Sequence, residues 1–323
     1  MKELSQNQIK AILKKHFPKQ NINDITRITQ GYSHYMYDCE LKDKHVILRI
    51  SFNKKADLSI AKEIWVIDQY KKVGVPVPKI YAWKEQEDFD YMIMQKFEAD
   101  NLEQIWNNLS ENEKIQVAEE MGKLLRKMHS VPIKKFGHIG SNGVISDSFS
   151  FRKQSDDNVK KSDWVNVLFS SGLKDLSLVI AQDLITPEQS SKILKYLHSH
   201  VQMIKDCKPA LVHTDFQLGH LFVKKQNNKW KIVGLIDFEF AYAYAPEFDF
   251  IKLHRAGILD DKKIKQAIMN GYGAKELHKE FDTVVLIYRI IRDIGFVGYV
   301  AKAGNLEAAK KALDFVLKIV NGE

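Results

Sequence analysis

Two short polar stretches, each joined to apolar runs, restrict this 323-residue chain more than any other feature. The first, His213–His220, carries an acid two positions after its first histidine and another histidine five positions after that acid. The second places Asp237 at the end of an apolar run with the composition of a buried strand. Asn227-Asn228 supplies a turn between the two strands. A hairpin built in this way predicts that Asp215, His220 and Asp237 meet at one mouth.

The spacing of these stretches resembles the catalytic loop of protein kinases, where Asn follows H-x-D after four residues and a metal-binding D-F-G comes later. Here His220 stands in place of Asn, and the second motif reads Asp237-Phe238-Glu239. No Arg follows His213, and no A-P-E follows an activation loop. With Pro246-Glu-Phe-Asp-Phe250 as a third element, the chain resembles instead the aminoglycoside and macrolide phosphotransferases, the small-molecule branch of that superfamily. Choline and homoserine kinases are relatives.

The resemblance implies an α+β, bilobal, protein-kinase-like fold. Residues 1–97 are expected to form a small nucleotide-binding N-terminal lobe with an antiparallel sheet plus a helix. Residues 98–323 are expected to form a larger, mainly helical lobe for catalysis and acceptor binding, with a helical insertion at about 141–208. An apolar content of 45% is sufficient for two such lobes. Capping boxes at Ser5–Gln8 and Ser110–Glu113 predict the starts of two helices.

The resemblance also assigns chemistry to individual side chains. Asp215 is the candidate catalytic residue, which orients the acceptor hydroxyl and takes its proton. Asp237 and His220 are candidate ligands for Mg²⁺, a hard cation that prefers oxygen. Because imidazole suits softer metals, a hydrogen bond from His220 to Asp215 or to a metal-bound water is the alternative. His213 and Asp249 are expected to brace the loop.

ATP or GTP is the expected co-substrate, held by five candidate residues. Ser33 falls near a phosphate-binding loop, and Arg49 stands where kinases place a lysine. Since Arg49 lies in an apolar run, its charge requires a partner, and Glu63 beside the apolar stripe of a helix is the natural one. A solvent-facing arginine on an edge strand is the alternative. The backbone groups of Gln95 and Phe97 align with the hinge that meets the adenine edge.

The implied activity is that of a phosphotransferase with an alcohol group as acceptor. An antibiotic of macrolide or aminoglycoside type is the first hypothesis for the acceptor. Acids and bases balance between residues 141 and 208, which disfavours a polycationic aminoglycoside, although Glu239 is a candidate contact for a substrate amine. Aromatic side chains that suit a macrolide are Trp164, Phe169, Tyr242 and Tyr244. A choline- or homoserine-type metabolite kinase and a nucleotide-binding pseudokinase without turnover are the alternatives.

The net charge of +8 is spread along the chain in single lysines and pairs, which indicates a solvated surface and no nucleic-acid partner. Only Cys39 and Cys207 are present, far apart in sequence. The N-terminus lacks the apolar segment of a signal peptide, and no apolar run has membrane-spanning length. These features favour a cytoplasmic protein without a membrane partner. A monomer or a homodimer is expected.

Overall fold

The computed structural model of the chain describes residues 3–29, 34–52, 59–146, 164–273 and 277–322. Its N-terminal part is built on a five-stranded antiparallel sheet in the order β1-β2-β3-β5-β4. The strands are β1 (Ile22–Ile28), β2 (Tyr35–Leu41), β3 (Lys44–Ser51), β4 (Ile80–Lys84) and β5 (Asp90–Gln95).

Two helices accompany this sheet. The first, α1 (Gln6–His16), begins with the capping box predicted at Ser5, and its buried Ile9 and Leu13 pack in one cluster with residues of β2 and β3. The second, α2 (Ile60–Lys72), begins where the side chain of Ser59 accepts a hydrogen bond from the backbone of Lys62. This arrangement agrees with the predicted small lobe.

The rest of the described chain is mainly helical, as predicted. After the short strand β6 (Asp100–Asn101), its helices are α3 (Leu102–Ile105), α4 (Glu111–His129), α5 (Trp164–Ile180), α6 (Pro187–His200), α7 (Ile251–Arg255), α8 (Lys262–Tyr272), α9 (Phe281–Lys302) and α10 (Leu306–Asn321). The capping box at Ser110 is confirmed. Helix α9 is buried along most of its length, because its apolar residues occupy nearly all faces. The boundary at residues 97 and 98 stays a prediction.

Short strands position the two polar stretches. The pairs are β7 (His138–Ile139) with β8 (Ile145–Ser146), β9 (Ala210–Val212) with β12 (Tyr242–Tyr244), and β10 (Leu221–Gln226) with β11 (Lys229–Leu235). At the turn between β10 and β11, Asn227 and Asn228 have φ of 50° and 59°, the left-handed geometry that a tight hairpin requires. The predicted hairpin is therefore confirmed. Within the described residues, no helix combines the length and apolarity needed to cross a bilayer.

Candidate active site

The hairpin brings together the three residues that the sequence predicts at its mouth. One ligand atom from each of Asp215, His220 and Asp237 lies within 4.8 Å of the other two. His220 stands between the carboxylates, with Nε2 3.4 Å from Asp237 Oδ2 and Nδ1 3.7 Å from Asp215 Oδ2. The sequence prediction of this cluster is thus confirmed in position.

Asp249 holds the loop His213–His220 through the loop backbone. Its carboxylate accepts hydrogen bonds from the N–H groups of His213, at 3.0 Å, and Thr214, at 2.6 Å. Thr214 has φ of 61°, a conformation that costs energy for a β-branched residue. His129 Nε2 lies 2.9 Å from the same carboxylate. The expected bracing role of Asp249 is confirmed, and the strained backbone at Thr214 is stabilised by these bonds.

His213 is a neutral brace. Its ring is fully buried, and burial is the main cause that lowers its pKa, with the nearby His220 acting in the same direction. Nε2 lies 3.0 Å from the carbonyl oxygen of Ile236, which can only accept, so Nε2 carries the proton. Nδ1 then accepts a hydrogen bond from the Asp215 N–H at 3.3 Å. His213 therefore ties the two polar stretches together, as expected.

Asp215 faces a cation that the sequence did not reveal. Its Oδ1 lies 2.6 Å from Lys252 Nζ, while Oδ2 accepts a hydrogen bond from Gln217 Nε2 at 3.2 Å. Burial alone would raise the pKa of Asp215, but the charge and hydrogen bond of Lys252, together with His220 and His213, outweigh burial, so the pKa lies below its ordinary value. Asp215 is therefore an anion at neutral pH.

The tautomer of His220 follows from its contacts. Nδ1 lies 2.9 Å from the backbone oxygen of Asp215, so Nδ1 carries the proton. Nε2 consequently presents its lone pair to the site, where Gln217 Nε2 lies 3.2 Å away. Nε2 accepts a hydrogen bond from Gln217 and also lies 3.4 Å from Asp237 Oδ2, a position that suits a metal ligand. The hydrogen bond to Asp215, the alternative predicted for this histidine, is formed by the other nitrogen at the same time.

Asp237 lies close to two other acidic residues, Glu239 and Glu63. Burial raises its pKa to about 6, and the charges of Glu239 and Glu63 add to that effect against the opposing influence of His220 and Arg49. Its φ of 72° turns the backbone sharply after the strand. A carboxylate in such surroundings gains stability when a cation compensates its charge. Two carboxylates with an unprotonated imidazole nitrogen form a donor set that fits Mg²⁺, with His220 as its softest member.

The predicted pair of Arg49 and Glu63 forms in the N-terminal part. The two residues are 4% and 3% exposed, Arg49 Nη1 donates to Glu63 Oε1 at 3.1 Å, and Nη2 contacts Oε2. The alternative of a solvent-facing arginine is therefore wrong. Arg49 also acts electrostatically on Asp237 and Glu239, which places the pair on the side of the structure that faces the hairpin.

Glu239 is held by the N-terminal part of the chain instead of facing an open acceptor site. It is 4% exposed, and its Oε2 lies 2.7 Å from His34 Nε2, whose ring also contacts Ser51 Oγ at 2.8 Å. Lys62, 1% exposed, donates to the backbone oxygen of Glu239 at 2.7 Å and lies 4.5 Å from the ring centre of Tyr242. The proposed contact between Glu239 and a substrate amine finds no support in this geometry.

The remaining candidate nucleotide-binding residues are Gln95, Phe97 and Ser33. The N–H of Gln95 donates to the Lys79 oxygen at 2.8 Å, and the ring of Phe97 packs on Phe222 with centroids 5.3 Å apart. Gln95 is the last residue of β5 and Phe97 lies just beyond it, but contact of either backbone with an adenine edge stays a prediction. Ser33 lies outside the described residues.

The aromatic residues assigned to a macrolide pocket lie in the core. Trp164, Tyr242 and Tyr244 are 4%, 1% and 4% exposed and pack on one another. The interpretation of these three side chains as pocket walls is wrong, because their rings are buried in the packing between β12 and helices α5 and α9. The side chain of Phe169 lies outside the described part.

Sequence reasoning missed Lys252 and Lys62. A faint signal existed for Lys252, which interrupts the apolar residues Phe250, Ile251 and Leu253. A buried lysine is costly unless it is paired, so a lone cation in such a run indicates a partner. The identity of that partner depends on the packing of α7 and α2 and cannot be read from the sequence.

Comparison with known proteins identifies the family. A family model described as the phosphotransferase enzyme family matches residues 24–282. No curated protein matches the chain.

Solved structures share the fold at low identity. An APH(2")-type enzyme in complex with GDP and kanamycin superposes with a TM-score of 0.71 at 14% identity, covering 98% of this chain and 99% of the other. An APH(4)-Ia mutant with ADP and hygromycin B gives 0.70 at 15% identity over 97% of both chains. The ternary complex of APH(2")-IIa with streptomycin and ATP gives 0.65 at 17% identity over 99% of both. The chain therefore belongs to the phosphotransferase enzyme family, with a bilobal kinase-like fold, and is a phosphotransferase that acts on an alcohol group.

Proposed function

We propose that this protein transfers the γ-phosphoryl group of ATP or GTP, with Mg²⁺, to a hydroxyl of a small molecule, and that an antibiotic is the acceptor. The observation that carries the proposal is the cluster of Asp215, His220 and Asp237 opposite the buried pair of Arg49 and Glu63. Phosphoryl transfer depends mainly on positioning and on neutralising charge, and this arrangement supplies both.

Each residue has a distinct task in this proposal. Asp215, ionised and fixed by the braced loop, orients the acceptor hydroxyl and receives its proton. Arg49, held by Glu63, binds phosphate oxygens of the nucleotide. Mg²⁺ held by Asp237 and His220 would neutralise charge on the phosphates. The backbone at Gln95 and Phe97 receives the base.

Among antibiotics, an aminoglycoside is the first acceptor to test. The superposable structures contain kanamycin, hygromycin B and streptomycin, whereas the aromatic side chains that favoured a macrolide are buried. Macrolides come second, and choline- or homoserine-type metabolites third. We also propose a cytoplasmic location, where nucleoside triphosphates and reduced thiols occur together. Both cysteines are free in the structure.

Two successive measurements test this function. Thermal unfolding is followed with ATP or GTP, each with Mg²⁺ and with a chelator, and Asp237→Asn serves as the matched control. We expect nucleotide to raise the unfolding midpoint in a Mg²⁺-dependent manner, and less in the variant. Release of ADP or GDP is then measured with aminoglycosides, macrolides and amino alcohols. Nucleotide binding without turnover for any acceptor or water would identify a pseudokinase, and absence of binding would contradict the proposal.

A further inference from the structure

The catalytic loop lacks a permanent cation. His213–His220 contains no lysine or arginine, although charge on the transferring phosphoryl group calls for positive partners. In the N-terminal part of the chain, the guanidinium of Arg49 is bound to Glu63. The described structure supplies a cation from a different element, Lys252 in α7, which follows the helical turn Pro246–Phe250.

The backbone of Lys252 is anchored in the core, whereas its ammonium group can move. Its neighbours Ile251 and Leu253 are each 1% exposed and anchor α7 in the core. The Lys252 side chain itself is 23% exposed, so the ammonium group lies at the mouth of the site on a flexible four-carbon stem. It can therefore shift over a few ångströms without unfolding the helix.

Both oxygens of Asp215 are occupied in this structure. Oδ2 accepts from Gln217 at 3.2 Å, and Oδ1 contacts Lys252 at 2.6 Å. A base that receives a proton from a hydroxyl needs one oxygen within hydrogen-bond reach of it. The ammonium group of Lys252 must therefore leave or share Oδ1 when the acceptor binds, and an anion nearby would favour that movement.

We propose that Lys252 is a catalytic residue whose ammonium group transfers its contact from Asp215 Oδ1 to the γ-phosphoryl oxygens when a nucleoside triphosphate binds. This inference rests on the proposed function. In the reaction, the acceptor oxygen bonds to the γ-phosphorus as the bond from that phosphorus to the β,γ-bridging oxygen breaks. The hydroxyl proton passes to Asp215, and the nucleoside diphosphate departs with the bridging oxygen. Lys252 forms no covalent bond.

The test compares triphosphate with diphosphate binding. Calorimetry gives Kd for the Mg²⁺ complexes of ATP, ADP, GTP and GDP in wild type, Lys252→Met, Lys252→Gln and Lys252→Arg. Both neutral variants should lose about tenfold in triphosphate affinity, the size of one charge-assisted hydrogen bond, while diphosphate affinity changes less than about twofold. Lys252→Arg should retain most of the triphosphate affinity.

Lys265→Met is the matched control. Lys265 is 29% exposed and pairs with Asp282 at 2.6 Å, so it resembles Lys252 in exposure and pairing but lies on α8. The nucleotide affinities of Lys265→Met should equal those of wild type. Slow hydrolysis of triphosphate by water gives a second readout, in which Lys252→Met should raise the KM for triphosphate as well as lower kcat.

Two results would overturn the inference while leaving the proposed function intact. One is unchanged triphosphate affinity in the neutral variants, which would leave Lys252 as a partner of Asp215 alone. The other is an equal loss for triphosphate and diphosphate, which would assign Lys252 a general structural role. A wild-type protein that binds none of the four nucleotides would overturn the proposed function itself, and this inference with it.

Discussion

Asp215 and Asp237 lie on one hairpin, yet their surroundings shift the pKa of the two carboxyl groups in opposite directions. Lys252 lowers the pKa of Asp215 against the effect of burial, whereas burial among other acids raises that of Asp237. Opposite shifts in neighbouring acids indicate separate tasks. Asp215 is an anion that can orient a hydroxyl, and Asp237 stands where a cation relieves unfavourable charge.

Replacement of Asp215 by asparagine separates catalysis from binding. Asp215→Asn should reduce turnover by ~10²–10⁴-fold, because the amide cannot receive the hydroxyl proton. Nucleotide affinity should change little, since the proposed partner of Asp215 is the acceptor hydroxyl. Steady-state kinetics and nucleotide calorimetry measure the two effects. Activity within a few-fold of wild type would exclude Asp215 as the base.

Mg²⁺ binding should depend on pH through Asp237. The free carboxyl group has a pKa of about 6, and a proton on it must leave before Mg²⁺ can bind. Affinity for Mg²⁺ should therefore be nearly constant well above pH 6 and fall as the pH drops through that value. Calorimetric titration with Mg²⁺ across this range measures the trend. An affinity that does not change with pH would remove Asp237 from the ligand set.

His220 should influence the choice of metal. Its Nε2 is a nitrogen donor, and Mn²⁺ tolerates nitrogen better than Mg²⁺. Wild type should therefore show a higher ratio of Mn²⁺- to Mg²⁺-supported activity than His220→Asn, which offers an oxygen and should remain active. Equal ratios in the two proteins would reassign His220 to the hydrogen bond with the Asp215 backbone alone.

At the scale of elements, α2 connects the sheet to the hairpin. Glu63 on this helix reaches Arg49 of β3, and Lys62 beside it reaches the backbone oxygen of Glu239. Adjacent residues on one helix thus face two different partners. The position of α2 consequently sets both the side chain of Arg49 and a contact between the two parts of the chain.

Glu63→Gln tests this coupling. The variant should raise the KM for nucleotide or lower kcat, because Arg49 loses its charged partner and can bend towards Asp237 or Glu239. Removing one member of a buried ion pair costs roughly 3–5 kcal/mol, and the loss should stay below that range because glutamine still accepts a hydrogen bond. Kinetics and denaturant unfolding measure the two effects. Unchanged kinetics would mean that the pair only supports folding.

At the scale of the whole molecule, apolar and polar contacts both join the N-terminal part to the helical part. Val66, Ile67 and Tyr70 of α2 lie in one buried apolar cluster with residues of α4 and α8. His34 reaches Glu239 and Lys62 reaches the Glu239 backbone across long separations in sequence. The polar contacts at Glu239 can break and reform without exposing apolar surface, whereas separating α2 from the helical part would expose the shared apolar cluster.

Lys62→Met should loosen this connection. The variant keeps the volume of the stem but loses the hydrogen bond to Glu239, so nucleotide affinity should fall and the unfolding midpoint should decrease. Lys72→Met is the control, since Lys72 lies on the same helix in an exposed position and bonds only locally to Gln69. Equal behaviour of the two variants would show that the buried contact is dispensable for nucleotide binding.

The sequence by itself determined what depends on near neighbours along the chain. The capping boxes, the Asn227-Asn228 turn and the spacing from His213 to Asp237 act over short distances, so their geometry follows from residue identity. The pair of Arg49 and Glu63 could also be predicted from the sequence, because two charges in apolar runs had to compensate each other.

Tertiary structure decided which distant groups face that hairpin. Lys252 meets Asp215 only because α7 packs on the core, and Glu239 turns to His34 because the two parts of the chain meet there. The aromatic residues near Trp164 are buried because α5 and α9 close over β12. Such contacts depend on how helices pack, and the free energy of packing is shared among many side chains and is not encoded in any single motif.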